Sequence, residues 1–378
     1  MAPQASAGPG ADAAAAVVSE LRTDDTYPVV EESVRLALLT YARSGDPADL
    51  ELAEILARRM IPAGGPQDRV VGSSRPLYLV AQAGGSTQAD GERMLVNTRE
   101  LLDTSERRAT TDSFAGISHD LFVRAMVTGD PGAISDALTY TDRFFRARVR
   151  ARGAKVEVLA GGSAAQLASL SDYLETLRAA TAATEATGSF AVREVMVRVG
   201  QALIDHFWED DRERFRVPAR DVVGMPEDLT LLLEARTALA LWRAGELAEV
   251  PLLRGRGERA LRGIQAECLE SRLAAAPAAL AAATMEGPTV RMVIVGDPGN
   301  ESTIAFRREC MMLFEPRGLL IHLDPAFDAE RIEALGLPLV NQGALLMECG
   351  SLRSEPVAVG GARDAVNALL ARAEKSGQ

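Results

Sequence analysis

Two histidines, His119 and His206, and a small set of acids, Asp172 with Glu209, Asp210 and Asp211, are the side chains whose chemistry comes first into question. A histidine pair can serve as acid and base at a sugar carbon, and two carboxylates across a cleft can hydrolyse a glycosidic bond. His119 and His206 fall in helical segments of different hairpins, so convergence is open, as is pairing of Asp172 with Glu209. Each has a plainer reading. A histidine beside Phe207 and Trp208 suits a hydrogen-bonded packing role, and three acids after Trp208 suit a solvated helix end.

Other combinations lead to less. His119, Asp120 and Asp112 have no spacing typical of a metal site, and Cys268, Cys310 and Cys349 form no CxxC or Cys/His pattern. Neither a metal nor another cofactor is expected. Glu348 beside Cys349 would raise the thiol pKa and make a poor nucleophile. Gly296-Asp297-Pro298-Gly299-Asn300 sits between a strand-like run and a helix, where an open α/β sheet binds ligands. It lacks both GxGxxG and GxxxxGK[ST], and reads rather as a strand-to-helix turn with a helix cap. Arg146, Arg148, Arg150 and Arg152 alternate at a helix end, suiting its dipole.

The elements that must hold these residues are mostly helices. Apolar residues recur at helical spacing from Val30 to Tyr41, Ser44-Gly45-Asp46-Pro47 stops that helix and starts another, and the second runs through Leu50 to Met60. Thr128-Gly129-Asp130-Pro131 and Thr187-Gly188-Ser189 repeat the punctuation, and a weaker copy over Leu229 to Trp242 has Gly245 at its turn. Four hairpins of this kind form an internal repeat, and stacking them buries faces that none can bury alone. The block Glu31 to Asp130 is echoed from Tyr173 to Glu246, with loops around Arg99 and Arg220 in corresponding places. Pro62 to Gly91 reads as a long insertion holding one apolar segment, Pro76 to Val80.

After Pro288 the pattern changes: β-branched and apolar runs at Val290–Val295, 319–323 and 344–347 alternate with helices, which predicts a small parallel sheet. The expected fold class is mainly α, an (α/α) hairpin toroid with a small C-terminal α/β module. The expected divisions are a mobile tail at 1–24, the toroid at 25–287 and the module at 288–378.

Composition narrows the partners. The 53 acidic against 41 basic residues give a net charge of −12, which repels nucleic acid and anionic lipid. Met1 to Asp12 has no basic region, and Ala13 to Val18 is too short for a signal core or a membrane span. A cytoplasmic protein with a small molecule or another protein as partner is expected, its oligomeric state open.

Leu170-Ser171-Asp172-Tyr173, the hairpin end Ala186-Thr187-Gly188 and Phe207-Trp208-Glu209-Asp210-Asp211 resemble proteins that join a thioredoxin-like domain to a six-hairpin helical toroid, whose animal members are called spermatogenesis-associated. Val293 to Pro298, with Leu319 to Pro325 downstream, looks like the same family's C-terminal half. The resemblance implies a thioredoxin-like or Rossmann-like module, and a toroid in which Tyr173, Trp208, Arg99 and Arg220 would meet a ligand. There are departures. No cysteine precedes Cys268, so CxxC redox chemistry is not expected, and Arg353 and Ser354 stand where a second C-terminal cysteine would fall. Aromatic content of 4% is low for a sugar-gripping cavity. The resemblance therefore implies a degenerate binding or scaffold protein, with a sugar isomerase, epimerase or glycosidase as the alternative.

Overall fold

The computed structural model describes residues 9–61, 74–105, 110–153, 155–161, 168–217, 227–287, 289–313, 315, 317–337, 339 and 343–376. Among the described residues twelve helices precede the C-terminal strands: α1 (Pro9–Thr23), α2 (Glu31–Ser44), α3 (Pro47–Arg59), α4 (Ser74–Gln82), α5 (Gln88–Ser105), α6 (Thr111–Thr128), α7 (Pro131–Arg148), α8 (Leu170–Thr187), α9 (Phe190–Phe207), α10 (Glu227–Ala248), α11 (Pro251–Glu270) and α12 (Ala275–Glu286). Two short antiparallel ribbons interrupt them, β1 (Val149–Arg152) with β2 (Lys155–Val158) and β3 (Trp208–Glu209) with β4 (Arg214–Phe215).

The even-numbered helices are neighbours in a closed cycle: α2 touches α4, and contact passes through α6, α8, α10 and α12 back to α2. Each is backed by an odd-numbered helix, α1 lying on α12 and α3, α5, α7, α9 and α11 on the helix before each. The punctuation works as the sequence suggests. Gly45, Gly129 and Gly188 end α2, α6 and α8 in the left-handed region, and Asp46, Asp130 and Ser189 cap the helices that follow. The inner helices α8 and α12 are buried on nearly all sides, as helices enclosed by neighbours must be.

Several expectations change. The tail expected at 1–24 contains helix α1, because Ala14, Val17, Val18 and Leu21 form a stripe at helical period that is buried against α12. A high alanine content hid that stripe. The apolar segment Pro76 to Val80 is not an isolated patch in an insertion but most of inner helix α4, with Leu77, Tyr78 and Val80 buried. Arg99 lies within α5 rather than in a loop, and the corresponding loop residue Arg220 falls outside the described residues. Gly245 is not a turn. It lies inside α10, and a Cβ there would fall 2.4 Å from the Arg254 backbone nitrogen, so the missing side chain lets α11 close onto α10. Glu249, at φ 54°, makes the turn instead. Arg146 and Arg148 end α7, whereas Arg150 and Arg152 belong to β1.

The C-terminal part runs β5 (Val290–Val295), α13 (Glu301–Met312), β6 (Gly318–Leu323), α14 (Ala329–Ala334), β7 (Ala344–Cys349), β8 (Leu352–Arg353) and α15 (Ala362–Ser376). The sheet order is β6-β5-β7-β8. β5 and β6 are parallel, but β7 runs antiparallel to β5 and β8 antiparallel to β7. The sheet is therefore mixed, not parallel as expected, which removes the Rossmann-like form of the module. Central β5 is buried along almost its whole length, as its β-branched run requires.

This sheet has no core of its own. Val293, Val295, Leu319 and Ile321 share one hydrophobic cluster with Leu177, Leu241 and Ala278 of the inner helices. Polar contacts tie it to the C-terminal ends of those helices. Gln82 at the end of α4 donates to the Met311 and Leu313 carbonyls at 2.8 and 3.2 Å. Arg307 donates to the carbonyl of Thr187, the last residue of α8, at 2.6 Å.

Candidate functional site

A cavity of about 190 Å³ lies inside the helical cycle, lined by all six inner helices and by residues of α13, β5 and β6. One part is aliphatic and thioether-rich: Leu38, Leu39, Leu79, Val123, Met126, Leu280, Met292, Met311, Leu313 and Leu320. The other is ionic: Glu31, Glu32, Arg35, Arg75, Arg178, Glu185, Arg236 and Arg243, with His119.

The ionic part is a network. Glu31, at the start of α2, accepts two hydrogen bonds from Nη2 of Arg178 on α8, at 2.7 and 2.9 Å, and lies 3.5 Å from Arg75 of α4. Arg178 and Arg75 both reach Glu175, at 2.9 and 3.4 Å. Arg75 Nε is 2.7 Å from Asp120, which also accepts from Ser74. Arg236 grips Glu32 with two hydrogen bonds, at 2.9 and 2.7 Å. Arg243 donates to Glu185 at 2.6 Å and to the Gly318 carbonyl at 3.0 Å, bridging α8 and β6 from α10.

Burial tunes these groups differently. Glu31 is driven up by burial, but Arg178, Arg75 and Arg35 outweigh that and hold its carboxyl well below the usual range. Asp120, with a single arginine at hand, goes the other way, and burial pushes it up to about 6. His119 is held well below its usual value by burial and by the guanidiniums of Arg75 and Arg178, so its imidazole is neutral. Its Nδ1 lies 2.7 Å from Arg75 Nη1. An arginine can only donate, so Nδ1 accepts and the proton sits on Nε2. The basic nitrogen is thereby occupied, and His119 offers a hydrogen-bond donor rather than a base.

Of the candidate catalytic and ligand-binding residues read from the sequence, only His119 lines this cavity, together with the thiol of Cys310. His206 is exposed at the end of outer helix α9, its ring 5.5 Å from that of Tyr173. Asp172 belongs to the N-terminal cap of α8, where it accepts from Ser169 N at 2.8 Å and from Asp112 N at 3.0 Å. Glu209 stands on β3 near Arg212 and Arg216. Tyr173 is buried and its hydroxyl accepts from Val158 N at 3.2 Å. Trp208 donates from Nε1 to Asp210 at 2.8 Å, packs edge-on against Phe215 and lies under Arg256. Arg99 pairs with Asp136, joining α5 to α7.

The structure thus does not bring His119 and His206 together, nor Asp172 and Glu209, and Tyr173, Trp208 and Arg99 lie away from the cavity. Among the described residues no group of three or more His, Cys, Asp and Glu is placed to hold a metal ion. Gly296 to Asn300 acts as a turn, with Asn300 capping α13. The thiols of Cys268 and Cys310 are pushed up to about 12 by burial, and Cys349 is raised for the same reason, so none is a ready nucleophile.

The residues that matter here were overlooked, although a signal existed. Arg178 and Glu185 in α8, and Arg236 and Arg243 in α10, stand two helical turns apart within runs of leucine and alanine, so each pair faces the same way out of an apolar helix. Charge inside a segment too apolar to be solvated marks a polar interior.

No family model matches the chain, and no curated protein matches it. No helix among the described residues is long and apolar enough to cross a membrane.

Proposed function

We propose that this chain is a non-catalytic ligand-binding protein of the degenerate αα-toroid type, and that its ligand is a small molecule held in the central cavity. The closed cycle of six inner helices is what such a toroid requires, and the resemblance to the thioredoxin-domain-containing six-hairpin proteins points the same way. One observation carries the reading. Each carboxylate on the cavity wall is tied to an arginine: Glu31 to Arg178, Glu32 to Arg236, Glu185 to Arg243 and Glu315 to Arg317. None is free to act as general acid or base, and His119 has its basic nitrogen engaged. What is left is shape, hydrogen-bond donors and positive charge, which suffice for binding.

The carbohydrate-active alternative finds less support. Among the described residues no phenylalanine, tyrosine or tryptophan lines the cavity to stack on a sugar face.

Thermal unfolding against a panel of organic acids, sugars and nucleotides tests the proposal. A stabilising compound is expected to be recovered chemically unchanged, and Leu280→Trp, which fills the cavity, is expected to remove the effect. Turnover of that compound, lost in a folded His119→Ala variant, would overturn the reading. So would the absence of any stabilising compound.

A further inference from the structure

The arginines and the carboxylates of the network are not equally presented to the cavity. The side chains of Arg35, Arg236 and Arg243 keep 29%, 22% and 23% of their surface accessible, against 6%, 4% and 8% for Glu31, Glu32 and Glu185. Both kinds of group line the cavity, and in these three pairs the guanidinium is the more accessible partner. Arg236 and Arg243 each hold hydrogen bonds to a carboxylate, but Arg35 makes none to any described residue. Its carboxylate neighbour Glu31 lies 3.6 Å away, already gripped by Arg178. Burial lowers the pKa of Arg35 against the opposing pull of Glu31, and the positive charges of Arg243 and Arg178 lower it further. Arg35 and Arg243 both line the cavity, and two guanidiniums on one wall define a place where an anion relieves both.

The rest of the wall constrains what that anion is attached to. Leu38, Leu79, Val123, Met126, Met292 and Met311 offer aliphatic and thioether surface, with no aromatic ring and no unpaired carboxylate among the described residues of the wall. Methionines adapt to a flexible chain where a rigid wall would select one shape. A cavity of about 150 Å³ accommodates a benzene-sized ligand. The present 190 Å³ therefore suits an aliphatic chain of about six to ten carbons with its head group. One arginine without a hydrogen bond to a described residue matches one negative charge.

We infer that the cavity binds a monoanionic aliphatic carboxylate, its carboxylate taken by Arg35 and Arg243 and its chain laid along the leucine and methionine wall. This rests on the binding reading above and adds the chemical class of the ligand.

Calorimetric titration of the full chain with octanoate, its neutral analogue octanamide and octyl phosphate tests the assignment. Octanoate is expected to bind at least about tenfold more tightly than octanamide, the factor a charge-assisted hydrogen bond supplies, and more tightly than octyl phosphate. Arg35→Gln should reduce octanoate affinity by about tenfold while leaving octanamide within about threefold. Octanamide equal to octanoate on the wild-type chain, which needs no variant to fold, would overturn the inference, as would preference for octyl phosphate. If none of the three binds but a sugar or nucleotide stabilises the protein, and Leu280→Trp abolishes that effect, the ligand class is wrong and the binding reading survives. If nothing stabilises it, both fall.

Discussion

The wall formed by α8 and α10 and the outer corner formed by α9, β3 and β4 use the same residue types to opposite ends. At the corner, Arg256 meets Asp210 at 2.6 Å, and on the wall Arg178 meets Glu31 at 2.7 Å. Distance does not separate them. Asp210 keeps 78% of its side-chain surface and Glu31 only 6%, so one pair is screened by water and the other has been removed from it. The corner gathers aromatic rings and acids in one stretch of chain, which makes it conspicuous in the sequence. The wall gathers its charges from α2, α4, α8 and α10, which makes it nearly invisible there. Conspicuous clusters at helix ends are solvated; charges scattered through apolar helices converge.

The comparison breaks first on stability. Arg178→Met leaves Glu31 buried without its two close hydrogen bonds and should cost about 3–5 kcal/mol, read as a lower denaturant midpoint. Asp210→Asn, which removes an exposed partner, should leave that midpoint unchanged. Equal losses for the two variants would show that burial does not distinguish wall from corner.

The helical repeat was legible because its signals are local: Gly-Asp-Pro and Gly-Ser junctions dictate a left-handed stop and a capped start whatever surrounds them. Strands β5, β6 and β7 were legible as apolar runs, but the antiparallel setting of β7 was not, since direction depends on a connection that carries no residue code. Helices α1 and α4 were missed for different reasons. Alanine and glycine masked the stripe in α1, and α4 is short and preceded by a Gly/Ser/Pro stretch. Gly245 was misplaced because a glycine that permits close helix approach looks, in sequence, like one that permits a turn. Of the site's ionic network, His119 alone is a candidate in the sequence. Its neighbours come from four helices, and no spacing within one segment reveals which charges will meet.

Within the network itself, Glu31 and Asp120 sharpen the contrast, because both touch Arg75 and titrate in opposite senses. Burial holds a proton on Asp120 in the folded protein up to about pH 6, above the ordinary aspartate value of 3.8, so it binds more protons than the unfolded chain between those values. That contribution to stability is fully present below the unfolded value and is lost as pH rises through 6, a change of roughly 3 kcal/mol at most. The Asp120→Asn variant lacks this titration. The stability of the wild type minus that of the variant should therefore fall from pH 4 to pH 7 in chemical denaturation. A difference that stays flat across that range would mean that Arg75 and Ser74 keep Asp120 charged, making it a second Glu31.

The smallest expected effect is a silent reporter. Trp208 is, with Tyr173, one of two aromatic residues that the resemblance puts at the ligand, yet its indole is committed to Asp210, Phe215 and Arg256 on the outer corner and does not line the cavity. Tryptophan emission responds to charge and solvent close to the ring, and a ligand among Arg35, Arg243 and Met311 changes neither at that corner. In a Trp242→Phe background, which leaves Trp208 as the sole tryptophan, saturating octanoate should therefore leave the emission maximum where it was, while the same titration registers heat by calorimetry. A shift in Trp208 emission that tracks the heat would mean that ligand binding reaches the corner, and the division between a working wall and a solvated corner would have to be given up.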